Sequence, residues 1–144
     1  MDTQNYANHR QMVPGFHYVL LPVLLLTFGG AVSNLIRSLG NHYGRYNASL
    51  ILVLTVCAAM AALFGRMFAL KAQDRAIRAE ENLRHFVLTG KLLDPKLTVR
   101  QIIGLRFAPD AEFVALAQRA AVESLSEDDI KKSVKNWKAD LYRV

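Results

Sequence analysis

The chain has 144 residues, a formal net charge of +6 and a single cysteine. That length fits one domain of ordinary size, and one cysteine excludes an internal disulfide, so nothing points to a disulfide-stabilised scaffold. Charge divides the chain sharply. Residues 16–65 carry only Arg37 and Arg45, whereas residues 66–144 carry fifteen Lys or Arg and eleven Asp or Glu.

Residues 1–15 read as an N-terminal tail. Residues 16–36 then run for 21 positions without a formal charge, close to the ~20 residues a helix needs to cross the hydrocarbon of a bilayer. His17 and Asn34 lie near the ends of this run, and Pro22 falls in its first turns, where it can kink a helix. A cleaved signal peptide is the competing reading, with residues 16–28 as its apolar region and Ala31-Val32-Ser33 as the cleavage pattern; Arg10 alone is a weak basic region for it.

Residues 37–47 hold Gly40, Asn41, Gly44 and Asn47 and are expected to turn the chain back. Residues 48–65 form a second uncharged run, which extends to Leu70 if Arg66 snorkels to the interface. The expectation is a transmembrane helical hairpin over residues 16–70, with spans at about 16–36 and 48–68. Tyr18, Tyr43 and Tyr46 suit interfacial anchors. Arg66, Lys71, Arg75 and Arg78 cluster just past the second run, with Arg84 beyond and Arg10 ahead of the first, against Arg37 and Arg45 between the runs. This bias puts both termini in the cytoplasm of a bacterial inner membrane. Gly29, Gly30 and Ser33, and on the second run Ala58 with Ala62 and Ala61 with Gly65, form small-residue faces. These suit packing of the two spans on each other or against another subunit.

No breaker interrupts residues 48–89, so the second span is expected to continue as one long helix ended by Gly90. Ala69, Ala72, Ala76, Ala79, Leu83 and Phe86 alternate spacings of three and four, a heptad seam of mostly small residues. Asp74 with Arg78 and Glu80 with Arg84 are spaced for ion pairs on its wet side. Three short helices follow. Thr98 and Gln101 are spaced as a capping box for a helix reaching about Phe107. Pro109 suits the first position of the next, with Asp110 and Glu112 at its positive end and a stripe of Phe113, Leu116, Ala117, Ala120 and Ser124. Ser126 and Asp129 cap the last, whose stripe is Ile130, Val134, Trp137 and Leu141. The fold class is therefore all-α: a transmembrane hairpin whose second span continues into a long helix, packed with three short helices in a cytoplasmic domain at 71–144.

Four stretches are distinctive: Phe68-Ala-Leu-Lys-Ala-Gln-Asp-Arg-Ala-Ile-Arg-Ala-Glu-Glu-Asn-Leu-Arg, Leu88-Thr-Gly-Lys-Leu-Leu-Asp-Pro-Lys-Leu-Thr, Arg100-Gln-Ile-Ile-Gly-Leu-Arg-Phe-Ala-Pro-Asp-Ala-Glu-Phe and Ile130-Lys-Lys-Ser-Val-Lys-Asn-Trp-Lys-Ala-Asp. With Gln4-Asn5-Tyr6 and Asn8-His9 at the start, they make nearly the whole chain resemble a family of small two-pass bacterial membrane proteins catalogued only as a domain of unknown function. The resemblance implies membrane location and a helical fold. It carries no activity and no functional residue.

Reactive constellations are missing from the pattern. His9, His17, His42 and His85 form no HxxH, HExxH or CxxC arrangement, so a metal site is not expected. His17 is the one weak candidate for an axial haem or chlorophyll contact, with an interfacial histidine as the plainer reading. Cys57 sits among Val56, Ala58 and Ala59, the surroundings of an inert thiol. Asp74, Glu80 and Glu81 beside Arg75, Arg78 and Arg84 read as solvated faces and ion pairs. Gly29-Gly30 lies inside an apolar run and is no phosphate loop. Lys131, Lys132, Lys135 and Lys138 interleave with Asp128, Asp129 and Asp140 without an aromatic platform, which argues against nucleic acid and leaves lipid headgroups as the simpler contact. The expectation is a non-enzymatic accessory or scaffold subunit of a larger inner-membrane assembly, such as a respiratory or photosynthetic one. It needs no cofactor, and its partners are lipids and other membrane subunits. The alternatives are a homo-oligomeric signalling or regulatory protein and a haem- or chlorophyll-binding membrane subunit.

Overall fold

In a computed structural model, residues 4–8 and 12–140 are described, and every regular element among them is helical. His9, Arg10 and Leu141 lie outside the described residues. A wide π-turn at Gly15–Leu20 runs into α1, Leu21–Arg37. There follow α2 at His42–Thr89, α3 at Val99–Leu105, α4 at Asp110–Glu123 and α5 at Glu127–Ser133. The chain divides into two compact units. One is Met12–Ala69; the other comprises residues 70–140 with residues 4–8.

In the first unit the helix starts earlier than the uncharged run. Pro22 marks the change from π to α geometry: Leu21 N–H still reaches back to Phe16 O, and Pro22 has no N–H to continue either ladder. The break between α1 and α2 is shorter than the expected linker, only residues 38–41, so Tyr43 and Tyr46 stand on α2. Asn41 explains the early restart, because its Oδ1 accepts from the N–H groups of Tyr43 and Gly44, a helix cap. Ala31, Ala48 and Thr55 are buried, and the Arg66 guanidinium lies 5.4 Å over the Phe16 ring. Most of the other apolar side chains of this unit are exposed.

The long helix is continuous to Thr89, and Gly90 stops it at φ +72 with its N–H on Phe86 O at 2.7 Å. That left-handed turn favours glycine. The second unit packs around Phe107, Phe113, Leu105 and Ile130, all fully buried, with Leu93, Leu97 and Ile102 beside them. The Thr98–Gln101 capping box forms in both directions, and Ser126 Oγ accepts from Asp129 N–H. α3 and α5 meet at Gly104, where a Cβ would stand 3.0 Å from Glu127 O and 3.2 Å from Ile130 Cγ2.

Two helix boundaries of the second unit also differ from expectation. Pro109 is extended and caps α4 instead of occupying its first turn. The last helix ends at Ser133, not beyond Trp137. The reason is competition for backbone donors. Lys135 and Asn136 N–H are taken by the Glu112 carboxylate at 2.9 and 3.1 Å, and Lys138 N–H by Phe107 O at 2.8 Å. Ile130 and Val134 are buried and Trp137 packs on Phe107 at 4.7 Å, so these three of the expected apolar residues meet the core although the chain is no longer helical after Ser133.

Candidate interaction surface

The part of α2 after Ala69 has two faces. Toward the domain it presents Ile77, Glu81, Arg84 and His85, of which Ile77, Glu81 and His85 are buried. Arg84 is the hub. It bonds Glu81 at 3.0 Å, Asp110 at 2.6 Å and the carbonyl of Ala108 at 2.8 Å, and its guanidinium lies 4.3 Å over Phe113. A planar guanidinium with five donors suits this many acceptors and an aromatic face at once. The expected Glu80–Arg84 and Asp74–Arg78 pairs do not form: Arg84 turns to the buried Glu81 and to the N-terminus of α4. His85 Nδ1 lies 2.7 Å from Lys91 O and its ring meets Phe113 edge-on, tying the end of α2 to the loop after Gly90. His85 also borders a pocket of about 350 Å³ whose walls include Leu92, Leu93, Leu97 and Ala121.

The other face is unpartnered among the described residues. Ala72, Ala76, Ala79, Leu83 and Phe86 are all exposed, Leu83 at 64%. The heptad seam is therefore not the stripe on which the domain packs. The stripe that does so holds Glu81, Arg84 and His85, polar groups that a hydrophobic periodicity passes over. Their neighbours Asp110 and Phe113 lie far along the chain, and no local signal links them.

The small-residue candidates likewise look outward. A Cβ at Gly29, Gly30 or Gly65 would meet nothing within 4 Å. Ser33 and Ala58 are exposed and Ala62 is half-buried. Lys71, Arg75 and Arg78 are exposed, while Arg66 stacks on Phe16. His17 Nδ1 is held by the backbone of Val13, 3.0 Å from its oxygen and 3.1 Å from its nitrogen. Cys57 is exposed on the helix. Among the described residues no cluster of His, Cys, Asp and Glu has metal-binding geometry.

The lysines at the end of the chain do not form a basic helix face. Lys131 pairs with Glu127 and Lys132 with Asp128, and Lys135 and Lys138 follow the end of α5. Asp128 also accepts from the Tyr6 hydroxyl at 2.6 Å, and Asp140 N–H donates to Gln4 Oε1 at 2.8 Å. Residues 4–8 are thus bound to the C-terminal domain, an attachment that no periodicity in the sequence announces.

The model of a family of unknown function, DUF6526, matches residues 1–144. The chain belongs to this family. Its full-length match agrees with the resemblance drawn from the four distinctive stretches. No curated protein and no solved structure matches this DUF6526 chain. Two of its helices, Gly15–Arg37 and His42–Thr89, are long and apolar enough to cross a membrane, by length and composition.

Proposed function

We propose that this DUF6526 chain is an integral protein of a bacterial inner membrane, anchored by a transmembrane hairpin. It acts without catalysis, as an accessory or scaffold subunit that holds a cytoplasmic helical domain against a larger membrane assembly. The observation that carries the membrane part is the exposure of the first unit. Leu25 and Leu26 are 72% and 75% exposed, and Val53, Leu54 and Leu63 are exposed beside them. Only 6% and 11% of the two apolar windows are buried. Helices apolar on all sides are not stable in water and are at home in hydrocarbon.

Topology gains support from the tail. Residues before the first span bond to Asp128 and Asp140, which follow the second. A bilayer between them would forbid those bonds, so two crossings are the economical reading. The basic residues Arg66, Lys71, Arg75 and Arg78 favour the cytoplasm for that side. The scaffold role rests on the outward-facing small residues Gly29, Gly30, Ser33, Ala58 and Gly65 of the two apolar helices and on the absence of a recognisable reactive constellation among the described residues.

Fractionation of cells carrying the full chain tests the reading. The expected result is a protein that stays with membranes through high salt and alkaline carbonate. Reporters at either end should be active only in the cytoplasm, and mild detergent should release the chain together with other membrane proteins. A soluble protein, reporters on opposite sides, or release without companions would overturn it.

A further inference from the structure

We propose that the outward face of α2 beyond the membrane pairs in parallel with the same face of a second copy of this chain. The proposal rests on the membrane reading above, since two copies inserted with one topology present these helices side by side and in the same direction.

Ala72, Ala76, Ala79, Leu83 and Phe86 recur at spacings of four, three, four and three, the a/d pattern of a supercoiling helix pair. All five are exposed, while the opposite side of the helix is committed to the domain through Ile77, Glu81 and His85. A helix that hides one stripe against its own domain ordinarily turns polar residues to water. Here the outward stripe is wholly apolar, and it is extended by Val87, which is 75% exposed. Leu83, Val87 and Leu88, with the charged Glu80, Arg84 and Asp110, also border an open groove of about 360 Å³ along this edge. Alanine at three successive seam positions lets two backbones approach, and leucine and phenylalanine fill the wider end.

Charge selects the occupant. Arg75 directly precedes the seam residue Ala76 and Glu80 directly follows Ala79, which makes them the flanking g and e positions. In a parallel pair each g residue faces the e residue five positions on in the other helix, so Arg75 meets Glu80 of the second copy, and two-fold symmetry makes the contact twice. Both side chains are exposed, and neither is in an ion pair among the described residues; Arg84, four residues after Glu80, is already engaged by Glu81 and Asp110. An antiparallel pair sets g against g and e against e. Its charged combinations here are arginine with arginine and glutamate with glutamate. The flanking charges therefore favour parallel self-pairing.

The test uses the full chain in native membranes, with Cys57→Ala as background and single cysteines introduced at Ala76, Ala79 or the off-seam Arg78. Like-with-like disulfides are expected from Ala76→Cys and Ala79→Cys and not from Arg78→Cys. Arg75→Glu turns two attractions into two repulsions and should raise the dimer dissociation constant roughly tenfold, with a lower dimer fraction. Adding Glu80→Arg should restore it. Fluorescence of Trp137 confirms that each variant is folded. Membrane-bound, folded protein that yields no dimers from the seam positions, that crosslinks to a different protein instead, or that ignores the charge swap would overturn the pairing and leave the membrane reading intact. Recovery of the chain in the soluble fraction overturns both.

Discussion

Arg84 shows how one side chain holds several elements at once. It joins α2 to the start of α4 through Asp110 and Ala108 O, and it neutralises Glu81, whose side chain is only 9% exposed. The two carboxylates are not equivalent. Asp110 is 67% exposed and can fall back on water, whereas Glu81 cannot. Removing the arginine leaves a buried carboxylate without its cation, a cost well above that of losing a surface ion pair. Arg84→Met is expected to destabilise the C-terminal domain by about 2–4 kcal/mol, read as a lower midpoint of Trp137 fluorescence in denaturant. Adding Glu81→Gln should recover part of the loss. No recovery in the double variant would mean that the arginine acts through its stacking on Phe113 instead. The spacing of Glu80 and Arg84 suggests a different partner, and the difference is physical. A guanidinium between two glutamates goes to the one in the lower dielectric, where the interaction is stronger.

Between α3 and α5 the limiting dimension is the space at Gly104. An added Cβ would lie 3.0 Å from Glu127 O and 3.3 Å from Ile130 Cβ, backbone and branch atoms that cannot swing aside. Gly104→Ala gains helix propensity of up to about 1 kcal/mol, but overpacking against a rigid neighbour costs about 1–3 kcal/mol. The net expectation is a loss of about 1 kcal/mol in the Trp137 transition. Gly65→Ala, whose Cβ enters open space, should leave that transition unmoved. Glycines in helices look alike in a sequence; only the facing element distinguishes one that permits close approach from one that does not. The caps were legible for the opposite reason. Thr98 with Gln101 and Ser126 with Asp129 act over three residues, so nothing distant intervenes. The end of α5 was not legible, because the acceptors that unwind residues 135–138 sit on Glu112 and Phe107.

At the scale of the whole chain, the Tyr6–Asp128–Lys132 contact ties the first described residues to α5. The hydrogen bond from Lys132, followed by that from Tyr6, lowers the Asp128 pKa. The backbone N–H of Lys135 does the most to lower Glu112. A carboxyl whose folded pKa is depressed stabilises the fold above its unfolded value, near 4, and loses that contribution as pH falls through the folded value. The hydrogen bond to Asp128 raises the pKa of Tyr6, and that of Lys132 is raised by the same carboxylate. Their contribution is complete below the unfolded values, near 10, and is lost as pH rises through the folded ones. The Trp137 midpoint should therefore be flat between about pH 6 and 8 and decline below about pH 4 and above about pH 10. Asp128→Asn should flatten both declines, and an unchanged profile in that variant would show that the Tyr6–Asp128–Lys132 contact contributes nothing to stability.

By itself the sequence determined what depends on near neighbours and on summed hydropathy: an all-helical chain, two apolar runs, the continuous helix to Thr89, its glycine stop and the caps that follow. It also carried the residues of the family resemblance. Tertiary structure alone decided which stripe of α2 is covered, where α5 gives way, why Arg84 ignores Glu80, and that Gln4 and Tyr6 bond to Asp140 and Asp128. Those outcomes depend on hydrogen-bond partners and on close approaches supplied by residues distant in the chain, which neither periodicity nor composition encodes.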